Sequence, residues 1–207
     1  MYGYVKRGAD ALFSVIGLLL LSPLFLLLFV LIRLDSKGPA IFRQQRVGRN
    51  GRLFMVYKLR TMKESAPSSV ATAELDNPVA YITRVGRVLR KTSLDELPQL
   101  VNVLRGDMSL IGPRPLVPGE KDIHEARAEL GAYGVRPGIT GWAQVNGRDC
   151  VNPPTKAALD AYYANNVSFW LDIKIIAFSF LCVLTARGVR EGVTEFDEEI
   201  DERKKSV

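Results

Sequence analysis

A chain of 207 residues is long enough for one domain with a real core and short for two. One histidine, His124, and two cysteines, Cys150 and Cys182, exclude a zinc cluster of ordinary spacing and a disulfide framework, and leave nucleophile–histidine chemistry a single base to draw on. His124 sits in the polar run 120–129, which reads as a solvated helix face. The formal net charge is +6. Residues 191–207 hold seven acids and three bases, so the rest carries 25 bases against 15 acids, or +10. That basic body suggests phosphate, nucleic acid or an acidic membrane face as its counterpart. The tail reads as a solvated acidic extension.

Residues 11–32 contain no formal charge, and about 20 such residues span a bilayer core. The run is long for a signal peptide, and Arg33-Leu34-Asp35 follows it in place of a cleavage site. Ser22-Pro23 interrupts its centre. Proline removes a backbone donor and clashes with the carbonyl four residues back; the Ser22 hydroxyl is a candidate to satisfy the freed group. Both flanks are basic, with Lys6 and Arg7 before the run and Arg33, Lys37, Arg43, Arg46 and Arg49 after it. A single crossing cannot keep both flanks in the cytoplasm, whereas a helix that breaks at Ser22-Pro23 and returns can. Residues 1–37 are therefore expected to form a re-entrant membrane hairpin. The alternative is one ordinary crossing helix.

Residues 40–45 and 53–60 flank Gly48-Arg49-Asn50-Gly51, and an Asn-Gly between such runs predicts a β-hairpin. Its Lys58 and Arg60 serve either as surface charge near lipid headgroups or as phosphate ligands. Residues 64–79, rich in Ser, Ala, Pro and Thr, predict a loop. Residues 81–91 place Ile82, Val85, Val88 and Leu89 at helical spacing, with Arg84, Arg87, Arg90 and Lys91 opposite. Ser93 and Glu96 then match a capping box, with Asp95 in the first turn; that alone accounts for both acids without chemistry.

Two later runs alter the balance. Gly106-Asp107-Met108-Ser109-Leu110-Ile111-Gly112-Pro113-Arg114-Pro115 locks an arginine between prolines, and the run from Arg136-Pro137-Gly138 to Asn146-Gly147-Arg148 repeats the style. Arginines on stiff backbone suit planar, bidentate phosphate recognition. Residues 168–187 are very apolar. Asp172 and Lys174 leave only 175–186 uncharged, too short to span, so this is an interfacial helix or a buried core helix.

Together, Lys58-Leu59-Arg60-Thr61-Met62, Ser93-Leu94-Asp95-Glu96-Leu97-Pro98-Gln99, Gly106-Asp107-Met108-Ser109, Gly112-Pro113-Arg114-Pro115, Arg136-Pro137-Gly138-Ile139-Thr140-Gly141 and Gln144-Val145-Asn146-Gly147-Arg148 resemble the bacterial sugar transferase family, the monotopic phosphoglycosyl transferases. The resemblance runs from the anchor to about residue 190 and suggests the minimal catalytic domain, without the extra membrane helices of larger relatives. It implies an α+β fold, mainly α: a re-entrant helix hairpin, a short β-hairpin and interfacial amphipathic helices around a compact catalytic core at 38–190, followed by the acidic tail at 191–207. It implies transfer of a sugar-1-phosphate from a UDP-sugar to polyprenyl (undecaprenyl) phosphate, with release of UMP, through a covalent phosphosugar on Asp95. Mg²⁺ is the implied cofactor, with Asp95 as its protein ligand. Glu96 assists by proton handling or by water-mediated metal contact. Lys58, Arg60, Arg90, Arg114, Arg136 and Arg148 are the phosphate-binding candidates, and Ser22 and Pro23 the helix break. The implied location is the cytoplasmic face of the bacterial inner membrane, among membrane lipids; a homodimer stays open. A nucleic-acid partner is not expected, because the charges cluster around Gly/Pro turns and not along a stripe with interleaved aromatics. Neither Gly-x-x-x-x-Gly-Lys-Ser/Thr nor Gly-x-Gly-x-x-Gly occurs.

Overall fold

The structure is a computed structural model that describes residues 2–67, 77–147 and 152–185. Two helices open the chain, α1 (Tyr2–Leu20) and α2 (Ser22–Asp35), bent by 62° at their junction. Pro23 lies in the first turn of α2, where its missing N–H costs nothing, and the Ser22 hydroxyl donates to the Leu19 carbonyl at 2.8 Å. Leu19 is the residue four before Pro23, whose ring displaces its ordinary helical partner. The sequence thus supplies a hydroxyl where the proline strands an acceptor. Among the described residues no single helix is long and apolar enough to cross a membrane; the bent pair meets that length and composition only as a pair.

Both helices are apolar outward, and α1 turns polar residues inward. Phe13, Leu19, Leu20, Leu26 and Leu34 are exposed, whereas Asp10 and Ser14 are buried. Asp10 accepts from the Ser109 hydroxyl at 2.7 Å and the Leu110 N–H at 3.3 Å. Leu28 and Ile32 of α2 pack on Leu59 and Leu89.

The Asn-Gly turn forms as expected. Strand β1 (Ile41–Val47) pairs antiparallel with β2 (Leu53–Leu59), and Asn50 takes the left-handed conformation (φ 56°) that its short polar side chain tolerates. The helix expected over 81–91 is two: α3 (Pro78–Tyr81), then α4 (Arg84–Thr92), whose N-terminus is set by Thr83 accepting from the Gly86 N–H. Gly86 is required by packing: a Cβ there would lie 2.0 Å from the Thr61 carbonyl oxygen.

A one-turn 3₁₀ helix (Leu94–Glu96) leads into α5 (Gln99–Arg105) and β3 (Ser109–Ile111). Then come α6 (Lys121–Glu129), β4 (Gly138–Thr140), α7 (Trp142–Val145), α8 (Pro153–Asn165) and α9 (Phe169–Thr185). β4 pairs parallel with β3. The two Gly/Pro-punctuated runs are thereby laid against each other. A Cβ on Gly138 would sit 2.1 Å from the Gly112 nitrogen, and one on Gly141 2.1 Å from the Gly112 oxygen. These glycines allow backbone to touch backbone.

The polar run 120–129 is less solvated than its composition suggests. Within α6, Arg127 is buried and pairs with Asp160 of α8, its Nε 3.0 Å from Oδ2. The His124 ring is half-buried and bonded at both nitrogens, to the Tyr133 hydroxyl and, at 2.8 Å, the Val117 carbonyl. In α9, Asp172 is buried and gathers the Tyr2 hydroxyl (2.5 Å), Lys6 (2.9 Å) and the Tyr163 hydroxyl (2.8 Å). That network ties the start of α9 to the start of α1. Ile175 faces the core, yet Phe169, Trp170, Phe180 and Leu181 are exposed. The helix is neither buried nor free: one face packs and the other is an uncovered apolar surface.

Candidate active site

The acidic pair lies where α4 turns into the 3₁₀ helix. Ser93, at the hinge, is left-handed (φ 58°, ψ 17°), unusual for a residue with a Cβ. This conformation caps α4 and swings the next turn back over β2. The capping box does not form: the Ser93 side chain caps nothing, and Glu96 points elsewhere. Glu96 Oε1 receives Lys58 Nζ at 2.8 Å and Arg114 Nη1 at 3.0 Å. Lys58 comes from β2, Arg114 from the Pro113–Pro115 segment after β3. One carboxylate oxygen therefore clamps two cations from separate elements.

Asp95 is treated differently. It makes no hydrogen bond or ion pair with any described residue, although Lys58, Glu96, Arg90 and Arg114 all lie within electrostatic reach. Burial pushes its carboxyl above the usual range; Lys58, Arg90 and Arg114 oppose that shift and Glu96 adds to it. Burial also works against an ionised Glu96, but Lys58 and Arg114, through charge and direct hydrogen bonds, outweigh it and hold that carboxyl well below the carboxylate range. Lys58 is lowered by burial, with Glu96 working the other way.

The expected phosphate ligands divide into four cases. Lys58 and Arg114 join the pair. Arg90 approaches from α4, its Nε 2.9 Å from the Thr61 hydroxyl. Arg60 does not join them: it is buried and gives its guanidinium to the carbonyls of Ile32, Ser36 (2.7 Å) and Lys37, at the C-terminus of α2. A cation with five donors suits a helix end rich in orphan carbonyls, and this side chain is already committed. Arg136 is also elsewhere. Its Nε donates to the Gly106 carbonyl at 2.8 Å, and it lines a second cavity with Lys6, Arg7 and Arg49. Arg148 lies outside the described residues.

Three contributors escaped the sequence reading. Arg46 and Gln99 line a small pocket with Lys58 and Arg114. Burial, with Arg114 adjacent, lowers Arg46 to about 10. Arg127 reaches the site through the backbone, donating to the Arg114 carbonyl at 2.9 Å. Alternation in β1 puts Arg46 on the same face as Gln44, a signal read only as surface charge; nothing local marks Gln99 or Arg127.

The acidic pair thus sets a clamped carboxylate, Glu96, beside one with no bonded partner among the described residues, Asp95, with Lys58, Arg90 and Arg114 within electrostatic reach. The chain belongs to the bacterial sugar transferase family, whose model matches residues 1–186. It is 44% identical to a UDP-N-acetylgalactosamine-undecaprenyl-phosphate N-acetylgalactosaminephosphotransferase of Aeromonas hydrophila, over 92% of this chain and 46% of that protein. It is 38% identical to the exopolysaccharide production protein ExoY of Sinorhizobium fredii, over 90% of this chain and 88% of that one. With an undecaprenyl-phosphate glucose phosphotransferase of Komagataeibacter xylinus it shares 46% identity, over 83% and 34% of the two chains. The chain thus spans under half the length of two of these relatives and most of the third.

Proposed function

We propose that this protein transfers a sugar-1-phosphate from a UDP-sugar to undecaprenyl or a similar polyprenyl phosphate, in two displacements through Asp95. The observation that carries the reading is the asymmetry of the acidic pair: among the described residues Asp95 has no hydrogen-bond or ion-pair partner, while Glu96 is held by two. A nucleophile must be free to reach phosphorus; a carboxylate that organises cations need not move. The names of the relatives from Aeromonas and Komagataeibacter support the substrate class.

In the first displacement an Asp95 oxygen attacks the β-phosphorus of the UDP-sugar. The bond from that phosphorus to the bridging oxygen breaks, and UMP leaves with the electron pair. In the second, an oxygen of the lipid phosphate attacks the same phosphorus, the acyl-phosphate bond breaks, and Asp95 returns as a carboxylate. The product is a polyprenyl-diphosphate-sugar. Lys58, Arg114 and Arg90 neutralise the incoming diphosphate, and Glu96 fixes Lys58 and Arg114 in place. Because these cations keep Glu96 ionised, its role is to orient them and not to shuttle a proton.

The residues also fit Mg²⁺. No group of three metal-binding side chains occurs among the described residues. Mg²⁺ bound to phosphorylated substrates commonly takes only one or two protein carboxylates, the rest being phosphate and water. Asp95 would hold the ion together with substrate phosphate and water, and the ion would supply charge neutralisation. EDTA is expected to abolish UMP release, and Mg²⁺ to restore it.

The bent pair would enter the membrane from one face and return, with the outer face of α9 lying in the interface. This holds the site at the depth of a lipid phosphate on the cytoplasmic face. The test is a panel of UDP-sugars with undecaprenyl phosphate and Mg²⁺ in detergent. Acceptor-dependent polyprenyl-diphosphate-sugar with stoichiometric UMP is expected from one of them. Absence of product and UMP with every common UDP-sugar would refute the reading.

A further inference from the structure

The second cavity shares no lining residue with the pocket beside Glu96. It encloses about 440 Å³ between the first turns of α1, the strand β3 and the one-turn helix Ala132–Gly134. That volume is ample for a phosphate-bearing headgroup. Its walls carry Lys6, Arg7, Arg49 and Arg136 against one carboxylate, Asp10. Lys6 is matched internally, 2.9 Å from Asp172 and 4.0 Å from Asp10. Four cations thus face two carboxylates, Asp10 and Asp172, a positive surplus of two carried by the arginines.

Those arginines are differently engaged. Arg7 holds the carbonyls of Val103 (2.5 Å) and Leu104 (2.9 Å) at the end of α5. Arg136 spends only its Nε–H, on Gly106, so both of its terminal amino groups lack a partner among the described residues. Arg49, at the hairpin tip, is exposed and has no side-chain partner there. Two guanidiniums with uncommitted donors lining one roomy cavity, with Arg7 as a third cation in its wall, suit a phosphate group in donor chemistry and sign.

The position indicates the source of that phosphate. Lys6 and Arg7 precede the uncharged run of α1, which begins at Ala11. At 1.5 Å per residue, four or five residues put the cavity roughly 6–7 Å outside the start of that run, about the depth of the headgroup layer. We propose that this cavity binds the phosphate of an anionic phospholipid headgroup through Arg49 and Arg136, fixing the height of the protein in its membrane. The proposal rests on the reading of the bent helix pair as membrane-inserted.

Two variants test it. Arg49→Glu reverses a charge at an exposed tip. Gly134→Phe fills the cavity from its wall: a Cβ there meets nothing within 4 Å, and no left-handed backbone forbids it. Binding of dihexanoyl phosphatidylglycerol to the full chain in neutral detergent is measured against dihexanoyl phosphatidylcholine and inorganic phosphate. Saturable binding of the glycerol lipid is expected, at least tenfold tighter than the choline lipid and weakened tenfold or more by each variant. Equal binding by wild type and both variants, or no preference over the choline lipid, overturns the proposal. So does inorganic phosphate binding as tightly as the lipid, which would make the site one for soluble phosphate. Flotation of the wild type with neutral vesicles reports insertion separately, so failure of the anchor and failure of the cavity are distinguishable.

Discussion

Two clusters of ionised side chains lie behind the Pro113–Pro115 segment, and they are built on opposite principles. Arg127 and Asp160 are sealed, at 2% and 1% exposed, with the guanidinium divided between one carboxylate oxygen and the Arg114 carbonyl. The Lys58–Glu96–Arg114 cluster is half-open, and beside it stands Asp95, without a bonded partner among the described residues. The sealed pair gives its bonding to the fold. The open one leaves a carboxylate outside the clamp, and on the proposed mechanism that is the group that meets substrate. Arg114 links them: its backbone is fixed by the first cluster while its side chain serves the second.

The largest expected effect falls on the open cluster. Asp95→Asn should lower the UMP release rate by a factor of about 10³ or more, since it removes the proposed nucleophile. The same change should raise the melting temperature at neutral pH. The folded-state pKa of Asp95 is raised by burial, so keeping it ionised costs stability as pH rises from the unfolded to the folded pKa, and asparagine is relieved of that cost. An unchanged rate by a coupled UMP assay would break the distinction between the clusters.

Next comes the sealed cluster. Arg127→Met leaves Asp160 buried and unpaired, and should destabilise by about 3–5 kcal/mol in thermal or denaturant unfolding. Its effect on catalysis should be indirect, appearing as a higher KM through a displaced Arg114.

Glu96→Gln sharpens the comparison through pH. The proposed mechanism needs ionised Asp95, so activity should fall as pH drops through that raised pKa. Removing the Glu96 charge removes one influence that raises it and releases two cations that lower it, so the acid limb of the pH–rate profile should move to lower pH. Glu96 itself is held low, so its stabilising contribution is present above the unfolded carboxylate pKa and fades as pH falls. The stability gap between wild type and Glu96→Gln should shrink with acidification. The smallest contrast is Arg60→Lys against Arg114→Lys. The first should cost about 1–2 kcal/mol of stability through lost carbonyl bonds and the second should mainly raise KM.

The split between these arginines marks where sequence reasoning runs short. The helix break and the Asn-Gly hairpin were legible because each rests on short-range chemistry: proline geometry and a left-handed asparagine. Arg60 and Arg114 are alike in the sequence, both basic and both in runs that carry the family resemblance. What separates them is a long-range fact, that Arg60 meets the C-terminus of α2 and Arg114 meets Glu96. The capping box at Ser93 and Glu96 failed for a related reason, because two cations from distant segments compete for the glutamate and win. Arg127 read as part of a solvated face, since its partner Asp160 is 33 residues away.

The central claim is that Asp95 takes the phosphosugar covalently. Incubation of the purified chain with its UDP-sugar, without lipid acceptor, followed by intact-protein and peptide mass spectrometry, addresses it directly. The predicted result is one equivalent of UMP released and a hexose-phosphate mass (or its acetamido equivalent) on the peptide carrying Asp95, absent in Asp95→Asn and lost when polyprenyl phosphate is added. UMP release that begins only with the acceptor present, with no adduct trapped under rapid acid quench, would contradict the account.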